Sequence, residues 1–253
     1  MRVLILGGTT EASELARLVA GDGRFKATLS LAGRTSSPRP QPLPTRTSGY
    51  GGITGLSRFL VDERIEAVVD ATHPYALQIS ANAVVACGEV GVPLVSIVRP
   101  AWQAEPGDRW QPAASTAAAA AALGEARRSV FVTVGRQELH AFAAAPQHRY
   151  VARLIEPPAQ TELPPDLVLL RQRGPFDRLT EQDLLQRERI EVLVSKNSGG
   201  SATYPKIEAA RALGLPVIMI ARPGKPAGTM VPSAEKALHW LAHRATLSSP
   251  RGV

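Results

Sequence analysis

Cysteine occurs once in 253 residues, at Cys87, so no internal disulfide can form and a reducing compartment is expected. Acidic residues are in short supply, 22 against 29 Lys and Arg, which leaves a formal charge of +7. Aromatic residues make up only 5%, few for a chain that stacks on bases. No run approaches the roughly 18 apolar residues of a membrane helix. The opening Met1-Arg2-Val3-Leu4-Ile5-Leu6-Gly7-Gly8 turns to glycine too soon for a secretory signal. A cytoplasmic protein without a membrane segment is therefore expected. Several chemistries are missing as well. His239 and His243 lie one helical turn apart but outside any His-Glu-x-x-His, and with His140 and His148 scattered no metal site is visible. There is no Gly-x-Ser-x-Gly elbow and no Gly-Lys-Ser/Thr phosphate loop.

What is present is a globular balance, 44% apolar and 20% charged, arranged as short β-branched runs alternating with Ala/Leu/Glu-rich stretches. This pattern predicts strands near 2–6, 27–31, 67–71, 94–98, 130–134, 149–155, 167–170, 191–195 and 216–220. Helices are predicted near 10–20, 54–63, 76–88, 115–127, 136–144, 180–188, 202–213 and 233–244. Continuously apolar strands such as Val217-Ile218-Met219-Ile220 suit parallel sheets covered on both faces, so the class is α/β. The chain also repeats. Gly91-Val92-Pro93-Leu94-Val95-Ser96-Ile97-Val98-Arg99-Pro100 aligns without a gap on Gly214-Leu215-Pro216-Val217-Ile218-Met219-Ile220-Ala221-Arg222-Pro223. At the same offset Thr72-His73-Pro74-Tyr75 falls on Ser195-Lys196-Asn197-Ser198, and a weaker echo pairs Gly8-Thr9-Thr10-Glu11 with Gly135-Arg136-Gln137-Glu138. Two similar domains are expected: 1–98, a linker at 99–114 marked by Pro100, Pro106, Gly107 and Pro112, and 115–253.

Strand 2–6 runs into Gly7-Gly8-Thr9-Thr10-Glu11-Ala12 and then a helix, where free N–H groups and the helix dipole favour a phosphate. Against the dinucleotide pattern G-x-G-x-x-G/A, Gly7 and Ala12 fit and Thr9 replaces the middle glycine. A turn merely capped by Thr9 or Thr10 fits these residues equally well. The second strand tips the balance, because it ends in Ala32-Gly33-Arg34-Thr35-Ser36-Ser37 instead of the acid that binds the ribose hydroxyls of NAD. Arg34 with the neighbouring hydroxyls suits a 2′-phosphate, hence NADPH. The proline-rich 38–44 and the glycine-rich 48–52 that follow are extended or turn segments.

Ligands of open parallel sheets bind beyond the carboxyl ends of the strands. Six of the nine predicted strands are followed there by a cation: Arg34, Arg99, Arg136, Arg171 with Arg173, Lys196 and Arg222. Only Glu156 supplies an acid at such a place. A positive rim for a substrate with several carboxylates or phosphates is the reading; a nucleic acid is not expected, since the cations follow strand ends without interleaved aromatics. Asp70-Ala71-Thr72-His73-Pro74-Tyr75 carries two groups able to move protons, although a lone histidine is more often structural. Ser195-Lys196-Asn197-Ser198-Gly199-Gly200 has the composition of an anion nest.

Leu6-Gly7-Gly8-Thr9-Thr10-Glu11-Ala12, Asp70-Ala71-Thr72-His73-Pro74-Tyr75-Ala76, Val134-Gly135-Arg136, Arg173-Gly174-Pro175-Phe176 and Ser195 to Gly200 with Lys206 together resemble the precorrin-6A reductase family of cobalamin biosynthesis, in order, from residue 1 to about 223. The resemblance implies two Rossmann-like domains, each a parallel sheet flanked by helices, with the active site in the cleft between them. It implies NADPH-dependent saturation of one double bond of precorrin-6A, a polycarboxylate tetrapyrrole, to give precorrin-6B. It further implies a cofactor set of Gly7, Gly8, Thr9, Thr10, Arg34, Thr35, Ser36 and Thr72, and a substrate set of Arg136, Lys196, Ser198, Gly199 and Lys206. Tyr75 and His73 are the candidates for orienting the ring or delivering a proton. A cobalt-loaded ring, and a non-catalytic NADPH-sensing or polyanion-binding protein of the same fold, remain as alternatives. A monomer is the working expectation.

Overall fold

The computed structural model describes residues 1–33, 39–158 and 163–248. Its elements run β1 (Arg2–Leu6), α1 (Thr10–Ala20), β2 (Lys26–Ser30), β3 (Thr45–Arg46), α2 (Ile53–Asp62), β4 (Ala67–Asp70), α3 (Leu77–Val90) and β5 (Leu94–Ile97). Next come β6 (Arg109–Ala113), α4 (Thr116–Ala121), β7 (Ser129–Thr133), a 3-10 turn (Leu139–Ala144), β8 (Arg149–Leu154), β9 (Leu167–Arg171) and α5 (Arg178–Arg187). The chain closes with β10 (Val192–Lys196), a 3-10 turn (Ser201–Thr203), α6 (Pro205–Ala212), β11 (Pro216–Ile220), β12 (Thr229–Val231) and α7 (Ala234–Ser248).

These elements form two compact units. The first holds Met1–Pro100 and Pro223–Val253, the second Ala101–Arg222. Each contains one six-stranded sheet, in the orders β12-β5-β4-β1-β2-β3 and β6-β11-β10-β7-β8-β9, and all pairings are parallel. In β1 the side chains divide by a period of two. Val3 and Ile5 pack with Leu15 and Val19 of α1 and Leu241 of α7, while Leu4 and Leu6 pack with Leu56 and Leu60 of α2 and Ala83 of α3. Both faces are covered, which is why the strand is apolar throughout. α1 buries Ala12, Leu15, Ala16 and Val19, the spacing of one helical face. α3 stops at Gly91, which takes the left-handed conformation at φ 69°, and Pro93 follows.

The internal repeat is a repeat of topology. β1, β4 and β5 hold the same places in the first sheet as β7, β10 and β11 in the second. The sixth strands are exchanged. β6 follows β5 in the chain but pairs with β11, and β12 follows β11 but pairs with β5. The expected boundaries are corrected accordingly. The segment 99–114 is not merely a linker, because it supplies β6, and 223–253 leaves the expected 115–253 domain for the first unit. The physical reason is that edge strands need no apolar run. β6 reads Arg-Trp-Gln-Pro-Ala and is largely exposed, with Pro112 tolerated at a sheet edge. β12 has three residues and β3 has two. The helix expected over 115–127 ends at Ala121, and the one over 136–144 is a 3-10 turn.

Candidate active site

In the first unit, β1 delivers its chain to a glycine turn at the start of α1. Gly8 has φ 116°, a conformation that favours glycine, and a Cβ on Gly7 would lie 2.6 Å from the end of the Leu29 side chain, which would have to shift. Thr9 is the N-cap: its Oγ1 accepts from Ala12 N at 3.2 Å and donates to the Ala71 carbonyl at 2.8 Å. Its hydroxyl proton is thus engaged with the loop after β4. The capping reading of Thr9 is the one realised. Thr10 is the first residue of α1.

Glu11, one residue on, pairs with Arg99 from the end of β5 (Nη1 to Oε2, 2.5 Å). Burial favours the neutral acid, but the hydrogen bond and charge of Arg99 outweigh it and hold the Glu11 carboxyl below the usual range. Thr9, Glu11, Thr72, Pro74, Ile97 and Arg99 line a small, open cleft at the carboxyl ends of β1, β4 and β5. The predicted glycine turn and the loop after β4 therefore meet at one place, where the strand order reverses around β1 and β4.

Asp70 closes β4 with a side chain 1% exposed. Its Oδ1 accepts from Thr72 N at 3.0 Å and Thr72 Oγ1 at 2.6 Å, and its Oδ2 accepts from Lys225 Nζ at 2.6 Å. Burial alone would raise the Asp70 acid, yet the Lys225 ammonium and the hydroxyls of Thr72 and Ser80 hold it below the ordinary carboxylate value. His73 and Tyr75 follow, half-buried, with ring centroids 5.6 Å apart and Tyr75 N donating to His73 Nδ1 at 3.4 Å. Arg34, Thr35 and Ser36 lie outside the described residues.

In the second unit the loop after β10 occupies the equivalent place. Lys196 is bound by Glu138, whose Oε2 also accepts from Gly135 N at 3.1 Å. Glu138 stands where Glu11 stands in the first unit, so the fourth residue of each echo neutralises a strand-end cation. The positive rim expected from sequence is corrected at these two points, because the acids arrive from the first turn of α1 and from the turn after β7. Arg136 is half-buried nearby in sequence. Asn197 pairs with the Trp102 backbone in both directions, accepting from its N at 2.8 Å and donating to its O at 2.9 Å. Arg222 Nε donates to the Asn197 carbonyl at 3.1 Å. Ser198 is buried with Oγ 3.3 Å from Thr203 Oγ1, and Gly199 takes φ 73°.

Lys206 does not line this loop; it lies beneath it. The residue is 5% exposed, its Nζ donates to the Thr203 carbonyl at 2.7 Å and sits 4.9 Å from the Trp102 ring centroid. Burial pushes its ammonium down to about 7, opposed by Glu181 and assisted by Arg153. Helix register on α6 turns it toward the core. Beside it Arg153 and Glu181 form an ion pair at 2.7 Å, with the guanidinium 4.0 Å from the Phe176 ring and 4.9 Å from Phe131. That pair, Glu138 and Lys225 carry no sequence signal beyond the weak echo at Glu138. Among the described residues no group of three or more His, Cys, Asp or Glu could hold a metal ion, and no helix is long and apolar enough to cross a membrane.

Comparison with known proteins agrees over the full length. A family model described as "Precorrin-6x reductase CbiJ/CobK" matches residues 2–242. A "Precorrin-6A reductase" of Sinorhizobium sp is 51% identical over 96% of this chain and 93% of its own. Another, of Rhodobacter capsulatus, is 49% identical over 100% of this chain and 99% of its own. A solved structure titled "CobK precorrin-6A reductase" superposes with TM-score 0.93 at 48% identity, covering 100% of both chains.

Proposed function

The chain belongs to the precorrin-6x reductase CbiJ/CobK family, and from that membership we propose that it is an NADPH-dependent reductase that saturates one ring double bond of precorrin-6A, giving precorrin-6B in cobalamin biosynthesis, in the cytoplasm. The end-to-end likeness to enzymes of that name carries the reading.

The first unit fits a dinucleotide. A glycine turn, the N-terminus of an eleven-residue helix and an adjoining cleft at the strand-order reversal would form a cradle for a pyrophosphate. Gly7, Gly8, Thr10 and Thr72 would hold the cofactor there, with Thr9 fixing the turn, while Arg34, Thr35 and Ser36 would take the 2′-phosphate. Bound there, NADPH supplies a hydride to the ring. Thr9 and Arg99 shape the cleft, and the Arg99 charge offsets the repulsion that Glu11 alone would exert on phosphate. Tyr75 and His73, on the loop that adjoins the cleft, orient the macrocycle and deliver the proton to the carbon beside the reduced one. In the second unit Arg136, Lys196, Ser198 and Gly199 meet substrate carboxylates. Lys196 exchanges Glu138 for a substrate acid, and a macrocycle with several acids makes that exchange favourable where a monocarboxylate does not. Most of the rate comes from placing an electron-poor ring against the hydride donor.

The test is anaerobic mixing of the protein with NADPH and precorrin-6A. Oxidation of NADPH together with a change in the pigment spectrum is expected, and no change in either overturns the assignment. Arg34→Ala should weaken NADPH by about tenfold or more while leaving NADH nearly unchanged. Equal losses for both cofactors refute the 2′-phosphate role.

A further inference from the structure

The reaction described above makes no use of Lys225, yet this residue is among the most completely satisfied cations of the molecule. It stands in Arg222-Pro223-Gly224-Lys225-Pro226, on the segment that leads from β11 to the exchanged strand β12. Its side chain is 3% exposed. The ammonium donates to Asp70 Oδ2 at 2.6 Å, Ser80 Oγ at 2.9 Å and Thr72 Oγ1 at 3.1 Å, which uses all three of its donors. A buried ion pair is poor grounds for stability, because desolvation offsets most of the attraction. Its better-founded effect is to fix position.

What it fixes is the turn after β4. Thr72 Oγ1 donates to Asp70 Oδ1 and accepts from Lys225, so its rotor is locked between the two charges. Thr72 lines the cleft beside Thr9, whose own hydroxyl binds the Ala71 carbonyl of the same turn. One ammonium, delivered 155 residues downstream of Asp70, thus closes a hydrogen-bonded chain that runs from α3 through the β4 turn to the start of α1.

We propose that Lys225 is a positioning residue for the cofactor: by clamping Asp70, Thr72 and Ser80 it holds the β4 turn in the form that receives the nicotinamide dinucleotide, and it makes cofactor affinity depend on the seating of the returning segment 223–231 on the first unit. This rests on the proposed NADPH site at that edge. The pair is buried and electrically neutral, so it acts on the cofactor through geometry and not through attraction for phosphate. The effect is therefore insensitive to salt, whereas a direct lysine–phosphate contact weakens as salt rises.

The experiment titrates NADPH by fluorescence at low and high salt against the wild type, Lys225→Met, Ser80→Ala and the double variant Asp70→Asn/Lys225→Met, with thermal unfolding of each. Lys225→Met is expected to melt earlier, because it strands the Asp70 carboxylate, and to raise the NADPH Kd about tenfold. The double variant removes both charges and regains most of the melting temperature, yet keeps a Kd at least about fivefold above the wild type at both salt levels. Ser80→Ala, which removes one acceptor of Lys225 on a residue that does not itself line the cleft, keeps the fold and raises the Kd about threefold. Wild-type affinity in the double variant, or in Ser80→Ala should the double variant not fold, overturns the proposal, as does a loss that vanishes with added salt. A wild type that binds no NADPH at all overturns the cofactor site itself, an outcome visible before any variant is made.

Discussion

Replacing Lys206 by methionine should stabilise the second unit in neutral and acidic solution. The lysine is 5% exposed and burial lowers its ammonium from 10.5 to about 7. At about 1.4 kcal/mol per unit, holding that charge below pH 7 disfavours the fold by at most ~5 kcal/mol. The bond to the Thr203 carbonyl, which methionine cannot make, returns about 1 kcal/mol, and Glu181 and Arg153 are the charged groups facing the site. The folded value lies below the unfolded one, so between about 7 and 10.5 the unfolded chain binds the extra proton and stability rises with pH. Below about 7 both states are protonated and this contribution is constant. Lys206→Met is thus expected to gain roughly 2–3 kcal/mol near pH 6, with the two proteins converging towards pH 10. Urea unfolding across that range measures it, with hydrogen exchange in α6 and β10 assigning the change to this unit. Parallel stability curves for the two proteins, or a wild type that loses stability relative to the variant from pH 7 to 9, would refute the reasoning.

Two further outcomes follow from the packing. Lys196→Ala should raise the KM for precorrin-6A about tenfold with little change in NADPH affinity, because its pairing with Glu138 lies in the second unit; steady-state kinetics with each substrate varied in turn would expose the opposite pattern. Ending the chain at Arg222 removes β12 and α7, and with them Ala234, Ala237 and Leu241, each 0% exposed. Leu241 alone contributes about 2 kcal/mol of burial, so the shortened chain is expected to aggregate, and a soluble, cooperatively unfolding product on size exclusion would contradict this.

The sequence was legible wherever burial acts on both faces of a strand. β1, β7, β10 and β11 read as continuous apolar runs because helices cover both sides of them. The repeat was legible because the turns after equivalent strands keep equivalent residues. β6 and β12 were not, since an edge strand with one exposed side needs no distinctive pattern. The same limit hid the cluster at Asp70: Lys225 meets it only because β12 returns to β5, a fact of topology that no local spacing records. Thr9 illustrates a subtler gap. Its residue type fits a phosphate donor and a helix cap alike, and only the Ala71 carbonyl 2.8 Å away shows where its proton goes. The cations at the strand ends were visible one by one, but Glu11, in the first turn of α1, and Glu138, in the turn after β7, bind two of them from other elements.

The exchange of edge strands also governs how the polypeptide matures on the ribosome. When Ile97 emerges, the partner that will cover the flank of β5 is still about 130 residues from being made, some 7 to 26 seconds at 5–20 residues per second. Throughout that interval the nascent half presents a bare row of peptide groups, the surface on which other extended chains nucleate. Yield in a heterologous host should accordingly respond to elongation rate and to chaperones that shield emerging chains, more than to the stability of the finished enzyme.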